Sequence, residues 1–408
     1  MASARPYDVV VVGAGIVGLA TARALLERRP QLRLAVLDKE AAPGRHQTGH
    51  NSGVLHSGIY YAPGSLKARL CVAGKAAMER YAEERGIPLL RCGKLIVALG
   101  PSELGRLDEL HRRAVANGVE GVRVLGADEL REVEPHARGY RALHAPHTGI
   151  VDYGAVATAL AEDVTAAGGE LLTSRPVRGF RPTGRAVRIE SESGSIEARA
   201  VVACAGLQAD RLARLAGARS PARIVPFRGD YYTLGPASQG LVRGMVYPVP
   251  DPAFPFLGVH FTKRLDGSVI AGPNAVLALA RERYRRAALD LRDAGSTLAY
   301  PGSWLFAARH LRVGAAELWR DLSTGAFVRD MQRYVPDVRR ADVSFGPTGI
   351  RAQALARDGR LVDDFLIVGS ERMMHVLNAP SPAATASLAI GAELAERALR
   401  DVITFSSS

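Results

Sequence analysis

The chain has 408 residues, 47% of them hydrophobic, and a formal net charge of +12. That length suits two domains with a sizeable core, and no run approaches the ~20 apolar residues of a transmembrane helix. The three cysteines, Cys71, Cys92 and Cys204, include no close pair, which argues against a disulfide framework or a Cys-based metal site; no metal is expected. No basic run is interleaved with aromatics, so nucleic-acid binding is not expected, while attraction to anionic headgroups or an acidic substrate stays open.

Tyr7–Val12 reads as a buried strand and Leu32–Leu37 as a second one, with a helix between them. The turn after the first strand is Gly13-Ala-Gly15-Ile16-Val17-Gly18. Gly13 suits a tight turn, Gly15 lets backbone approach a pyrophosphate, and Gly18 lets the helix pack on the strand. The helix start, through Ile16 and Val17, offers unpaired N–H groups and a positive dipole end to phosphate. Asp38, at the end of the second strand and followed by Lys39, is placed to accept a ribose hydroxyl. Together these imply a bound adenine dinucleotide. The first apolar run is the nucleotide strand itself, so no signal peptide is expected and a cytoplasmic protein is, with peripheral attachment to the inner face of the membrane left open.

Residues 46–58 are polar and glycine-rich. The spacing predicts helices over 65–86, 101–118 and 153–168, and a strand over 93–99. Strands follow at Glu170–Thr173, Val187–Ser191, Ile196–Ala198 and Ala200–Cys204, the last running into Ala205-Gly206, a second close backbone approach. From 224 to 272 the pattern is β, including Phe256–Thr262. Residues 304–335 have helical spacing, and their stripe of Trp304, Leu305, Phe306, Leu311, Leu318, Trp319 and Leu322 reads as core rather than membrane contact. The tail gives two short strands, Phe365–Val368 and Met374–Leu377, a loop over 378–383 and a helix over Ala384–Leu399. The expected fold is α/β (α+β): a discontinuous Rossmann-like domain over 1–92, 150–222 and 345–408, and an inserted mixed or antiparallel β-sheet domain over 93–149 and 223–344. The early break into antiparallel β suits FAD better than a nicotinamide cofactor, because the long isoalloxazine end must be embedded between two domains.

Several segments resemble the FAD-dependent superfamily of D-amino-acid oxidase, sarcosine oxidase and glycine oxidase, and within it the L-2-hydroxyglutarate dehydrogenase/oxidase family. They are residues 46–61 (His-Gln-Thr-Gly-His-Asn-Ser-Gly-Val-Leu-His-Ser-Gly-Ile-Tyr-Tyr), Pro63–Ala68, Pro226–Tyr231, Tyr247–Pro252, Phe256–Phe261, Gly272–Ala278, Gly349–Gln353 and Asn378–Thr385. They span nearly the whole chain in the family's order. Asp38 stands where the family more often has Glu, and either acid serves the ribose. The resemblance implies a D-amino-acid oxidase-like fold, FAD as cofactor, and oxidation of a dicarboxylic 2-hydroxy acid, L-2-hydroxyglutarate, to 2-oxoglutarate. An oxidase of another 2-hydroxy acid, or of an amino acid in the manner of glycine or sarcosine oxidase, is the alternative. The electron acceptor, O2 or a membrane quinone pool, is left open.

The implied reaction needs a base near neutral pH and cations for two carboxylates. His260 resembles the flavin-facing histidine of sarcosine oxidase-like enzymes; His56 is next as base, then His375. Arg351, in Gly-Ile-Arg-Ala-Gln, matches the strand arginine that grips the substrate carboxylate in related amino-acid oxidases. Arg228 is a second carboxylate candidate, with Tyr61, Tyr231 and Lys67 as lesser ones. For the flavin, Thr48, Gly49, Asn51, Ser52 and Gly53 are expected along the ribityl chain and ring, Val177 at the adenine, and Ala205 and Gly206 near the pyrophosphate. Arg351 and the loop Asn378, Ala379, Pro380, Ser381, Pro382 and Ala383 are expected at the ring, where Pro380 and Pro382 have no N–H to give, leaving Ala379, Ser381 and Ala383 as amide donors.

Overall fold

The computed structural model describes residues 5–251, 257–379 and 381–403. Pro252, Phe256, Pro380 and the tail beyond 403 lie outside the described residues.

The run Tyr7–Val12 is buried along almost its whole length because parallel neighbours cover both edges and helices cover its faces. It sits between Leu34–Leu37 and Gly194–Ala203, with Glu170–Leu172 beyond the former and Met373–Asn378 beyond the latter, all parallel. The hairpin Val177–Thr183 and Ala186–Ser191 extends this sheet antiparallel from Gly194–Ala203, and Leu366–Ser370 closes against Met373–Asn378. Helices Ile16–Arg28, Tyr153–Ala166, Leu66–Glu84 and Ser387–Asp401 share one apolar core against it. Their starts follow local chemistry: Ser65 Oγ accepts from Ala68 N, and Asp152 Oδ1 from Gly154 N and Ala155 N.

The second sheet is largely antiparallel. Its spine is Ala222–Leu234 paired with Val343–Ala356 over nearly their full lengths; Val269–Gly272, His260–Lys263, Met245–Pro248, Lys94–Ala98, Arg141–Ala145 and Arg123–Leu125 follow in spatial order. One face packs on Phe327, Val328, Met331 and Val335.

Some elements differ from the sequence reading. The second strand starts at Leu34, since Leu32 N turns back to Arg29 O. Ile196–Ala198 and Ala200–Cys204 fall on one strand, Gly194–Ala203, continuous through Arg199, which pairs with Asp8, and Cys204 follows its end. Val177–Thr183 is a strand that its Arg, Gly and Pro residues disguise; it lies at the sheet edge, where Pro182 is tolerated. The 304–335 stretch is three helices, Pro301–Arg309, Leu311–Leu322 and Thr324–Gln332, preceded by Leu291–Leu298. Its apolar stripe is not core: Phe306 is buried, but Trp304, Leu305, Leu311, Leu318, Trp319 and Leu322 are 46–74% exposed. The helix Leu311–Leu322 buries no residue, so its period-3.6 pattern faces outward.

Candidate active site

A cavity of about 910 Å³ lies between the two sheets. One end is built at the C-terminal edge of the parallel strands, where α/β sheets bind ligands, from Val12, Leu37, Cys204 and Leu377. The other is built from the second sheet, from Tyr231, Tyr247, His260 and Arg351.

At the first end Gly13 turns with φ +111°, and a Cβ there would fall 2.4 Å from Cys204 O. A Cβ on Gly18 would fall 2.0 Å from Gly13 O, so helix and strand touch backbone to backbone. Gly18 is thus a packing residue and does not line the cavity, whereas Gly13, Gly15, Ile16 and Val17 do. Gly15 has no side-chain cap, and Ile16 N is taken by Thr48 Oγ1 at 3.1 Å. Asp38 lines the wall while accepting Ala14 N at 2.6 Å and Glu40 N at 2.8 Å, so it also holds the glycine turn in shape. Lys39 is on the wall, its ammonium paired with Glu40 and Glu282. Val177, Ala205 and Gly206 line the same end.

Along the middle the wall includes Thr48, Asn51 and Ser52 from the glycine-rich segment, and Asn378, Ala379, Ser381, Pro382 and Ala383 from the closing loop; Pro380 lies outside the described residues. Gly49 and Gly53 do not line it. A Cβ on Gly49 would meet Gly44 O at 2.8 Å, and Gly53 turns at φ +75°, so both serve the path of the loop. Asn51 and Asn378 spend their side chains on loop carbonyls: Asn51 Nδ2 donates to Gln47 O and Thr48 O, and Asn378 Nδ2 to Val362 O and Asp364 O. The lining fits FAD: glycine backbone at a helix start, an acid beside it, and a slot continuous from there to the second sheet.

At the second end the wall gathers His56, Tyr60, Tyr61, Lys67, Tyr231, Tyr247, His260 and Arg351. His260 Nδ1 donates to Gly258 O at 2.8 Å, which leaves Nε2 with the lone pair. Its ring lies 3.9 Å from that of Tyr247. Burial, with the Lys94 and Arg351 charges adding to it, pushes the His260 imidazole down to about 3. Burial first, then Lys94, His260 and Arg351, hold His56 well below the ordinary histidine range. Both rings are therefore neutral at pH 7.

Two of the candidates expected at the substrate end are absent from the wall. Arg228 is adjacent in register to Phe227, which pairs with Arg351, so it points to the opposite face of the sheet. There its Nη2 holds both oxygens of Asp321 at 2.9 Å and its Nε holds Asp230 at 2.9 Å. His375 is buried beside Phe180, with neither ring nitrogen bonded among the described residues, and burial pushes it down to about 4. Conversely, Tyr60, Tyr247 and Gln353 line the cavity although sequence reasoning gave them no role.

The FAD dependent oxidoreductase family model matches residues 8–397. L-2-hydroxyglutarate dehydrogenase, mitochondrial, of Nematostella vectensis is 47% identical over 96% of this chain and 90% of its own length. The Homo sapiens protein of the same name is 46% identical over 97% and 89%, and L-2-hydroxyglutarate dehydrogenase of Escherichia coli 43% over 96% and 93%. Among solved structures, L-alpha-glycerophosphate oxidase from Mycoplasma pneumoniae with FAD bound superposes with a TM-score of 0.79 at 23% identity, covering 99% of this chain and 97% of the other. Glycine oxidase from Geobacillus kaustophilus gives 0.74 at 21%, with coverage of 99% and 97%.

Proposed function

The chain belongs to the FAD dependent oxidoreductase family and, within it, to the L-2-hydroxyglutarate dehydrogenases, and from that premise we propose that it oxidises L-2-hydroxyglutarate to 2-oxoglutarate. Gly13, Gly15, Ile16 and Val17 would hold FAD at the pyrophosphate, Asp38 at the ribose and Val177 at the adenine, with Thr48, Asn51, Ser52, Asn378, Ala379, Ser381, Pro382 and Ala383 along the ribityl chain and ring. When bound, it supplies the two-electron oxidant that takes a hydride from the substrate's Cα.

The protein's own groups do the rest. Arg351 grips the carboxylate next to Cα, its planar fork giving two parallel hydrogen bonds. Lys67, with the Tyr61 ring 5.8 Å away, serves the distal carboxylate, and Tyr231 stands by Arg351. His260 Nε2 takes the hydroxyl proton as the carbonyl forms, and the Nδ1 bond to Gly258 O keeps the imidazole in the accepting tautomer. Two negative carboxylates arriving beside it favour the imidazolium that results. The observation that carries this reading is the meeting of His260, with its tautomer set, and Arg351 on one wall, at the opposite end of a continuous cavity from the glycine turn.

The test is product formation by the purified protein with an artificial electron acceptor. L-2-hydroxyglutarate should give 2-oxoglutarate, with L-2-hydroxybutyrate, glycine and sarcosine turned over far less. Equal turnover of the monoacid, or preference for an amine, would overturn the substrate.

The electrons are read as leaving at a membrane quinone pool, from a protein peripherally attached to the inner face of the cell membrane. The exposed Trp304, Leu311, Leu318, Trp319 and Leu322, with exposed Arg309 and Arg312 among them, support this, as does the net charge of +12. No helix of the described residues is long and apolar enough to cross a membrane. Co-sedimentation with anionic vesicles at low salt should be lost in a Trp304→Ser, Trp319→Ser double variant. A wild-type protein that stays in the supernatant would remove the membrane contact and with it the support for a quinone acceptor.

A further inference from the structure

Lys94 opens the strand Lys94–Ala98, in register with Met245 on one side and Ala145 on the other. It is 2% exposed, yet among the described residues no carboxylate pairs with it. Its Nζ lies 4.1 Å from the ring centroid of Tyr247 and 5.6 Å from that of Tyr60. Both tyrosines line the cavity and Lys94 does not, so its ammonium stands one layer behind the wall. Tyr60 Oη is itself buried with no hydrogen-bond partner among the described residues, and Tyr247 packs on His260.

A lysine buried without a counter-ion is costly, and contact with two ring faces offsets only part of the cost. As a packing residue it would be inferior to methionine, which fills similar space with no charge to desolvate. An unpaired cation and an unpaired hydroxyl behind one stretch of wall are what a bound anion would complete.

We propose that Lys94 is a specificity-determining, positioning residue: an unpaired cation behind Tyr60 and Tyr247 that makes this end of the cavity select a dicarboxylate over a monocarboxylate. The proposal rests on the dicarboxylate reading above. A second negative charge on the ligand gains from a fixed positive charge at low dielectric, even without contact. Burial lowers Lys94 to about 7, so its charge varies in the working range. The groups facing it are Cys71 from Leu66–Glu84, His56 and Tyr60 from the segment before that helix, Cys92 from the turn into its own strand, Tyr247 from Met245–Pro248 and His260 beyond. The strand on its other side contributes Ala145, which carries no charge. The selectivity should therefore fall as pH rises through about 7 and Lys94 loses its proton.

The experiment is calorimetric titration of the holoenzyme with glutarate and with butyrate at pH 6.5 and 8.5, in the wild type, Lys94→Met and Lys94→Arg. The wild type should prefer glutarate, more so at pH 6.5. Lys94→Met should lose about tenfold or more on glutarate but about threefold or less on butyrate, and lose the pH dependence. Lys94→Arg, charged at both pH values, should keep the preference and flatten its pH dependence. If the wild type discriminates and Lys94→Met discriminates equally, or Lys94→Arg keeps the full wild-type pH dependence, the role of Lys94 is overturned while the substrate stands. If the wild type binds both ligands equally, the dicarboxylate reading itself falls.

Discussion

The two ends of the cavity are built on opposite plans. The nucleotide end is made of backbone: Gly13, Gly15 and the first turn of Ile16–Arg28, all from one stretch of chain, with Asp38 bracing the turn through Ala14 N. The substrate end is made of side chains from five separate segments: Tyr247, His260 and Arg351 from one sheet, His56 from a loop and Lys67 from the start of the helix Leu66–Glu84. Substitutions should therefore fail differently: by steric exclusion at the first end, and by loss of a charge or a proton acceptor at the second.

The largest effect is expected from Gly18→Ala. Its Cβ has no room against Gly13 O, so helix and strand must separate and the phosphate site is lost. The protein should purify without flavin absorbance and gain none with excess FAD. A yellow Gly18→Ala enzyme would show that backbone contact is not what forms that end. His260→Asn, by contrast, should keep its flavin while kcat falls about 10²–10⁴-fold, the usual loss for a general base. A fall in flavin content in place of kcat would put His260 in the cofactor site.

Next come two arginines that differ by one register position. Arg351→Met should raise KM, with kcat/KM down about 10²–10³-fold for the loss of a bidentate charge partner. Arg228→Gln should leave KM nearly unchanged but cost about 1–3 kcal/mol of stability, since Asp230 and Asp321 lose their buried partner and keep Arg286. The pair is measured by steady-state kinetics and thermal unfolding on both variants, and exchanged outcomes would reverse the assignment.

The smallest effect is in acid. His260 and His375 have folded values of about 3 and about 4, below the ordinary 6.5, because burial favours the neutral ring. The unfolded chain then takes up protons first as pH falls. The stabilisation is complete above pH 6.5 and declines below it, by about 2 kcal/mol for each histidine at pH 5. His375→Leu should remove its share of that slope, while kcat/KM shows no histidine-like drop between pH 8 and 5.

This division also explains what the sequence disclosed. The glycine turn was legible because its meaning lies within some 30 consecutive residues: strand, glycine spacing, helix and acid. The FAD fold followed because the segments that resemble the family run the length of the chain. Arg228 was misplaced because adjacent strand residues look equivalent in sequence and face opposite sides in a sheet. Parity alone was no secure guide, since the strand carries a register shift between Asp230 and Tyr232 that the sequence does not announce. Lys94 had no local signal; only its register against Met245, some 150 residues away, sets it behind Tyr247. The 304–322 stripe had the period of a helix, but period alone does not say whether the apolar side meets a core or lies open.

The central claim, that one cavity holds FAD at its backbone end and presents L-2-hydroxyglutarate to it at the other, is tested most directly by anaerobic mixing while the visible spectrum is recorded. Rapid bleaching of the flavin by L-2-hydroxyglutarate, with little by the D enantiomer or by L-2-hydroxybutyrate, is the expected result. A flavin spectrum that L-2-hydroxyglutarate leaves unchanged, or that all three bleach alike, would contradict it.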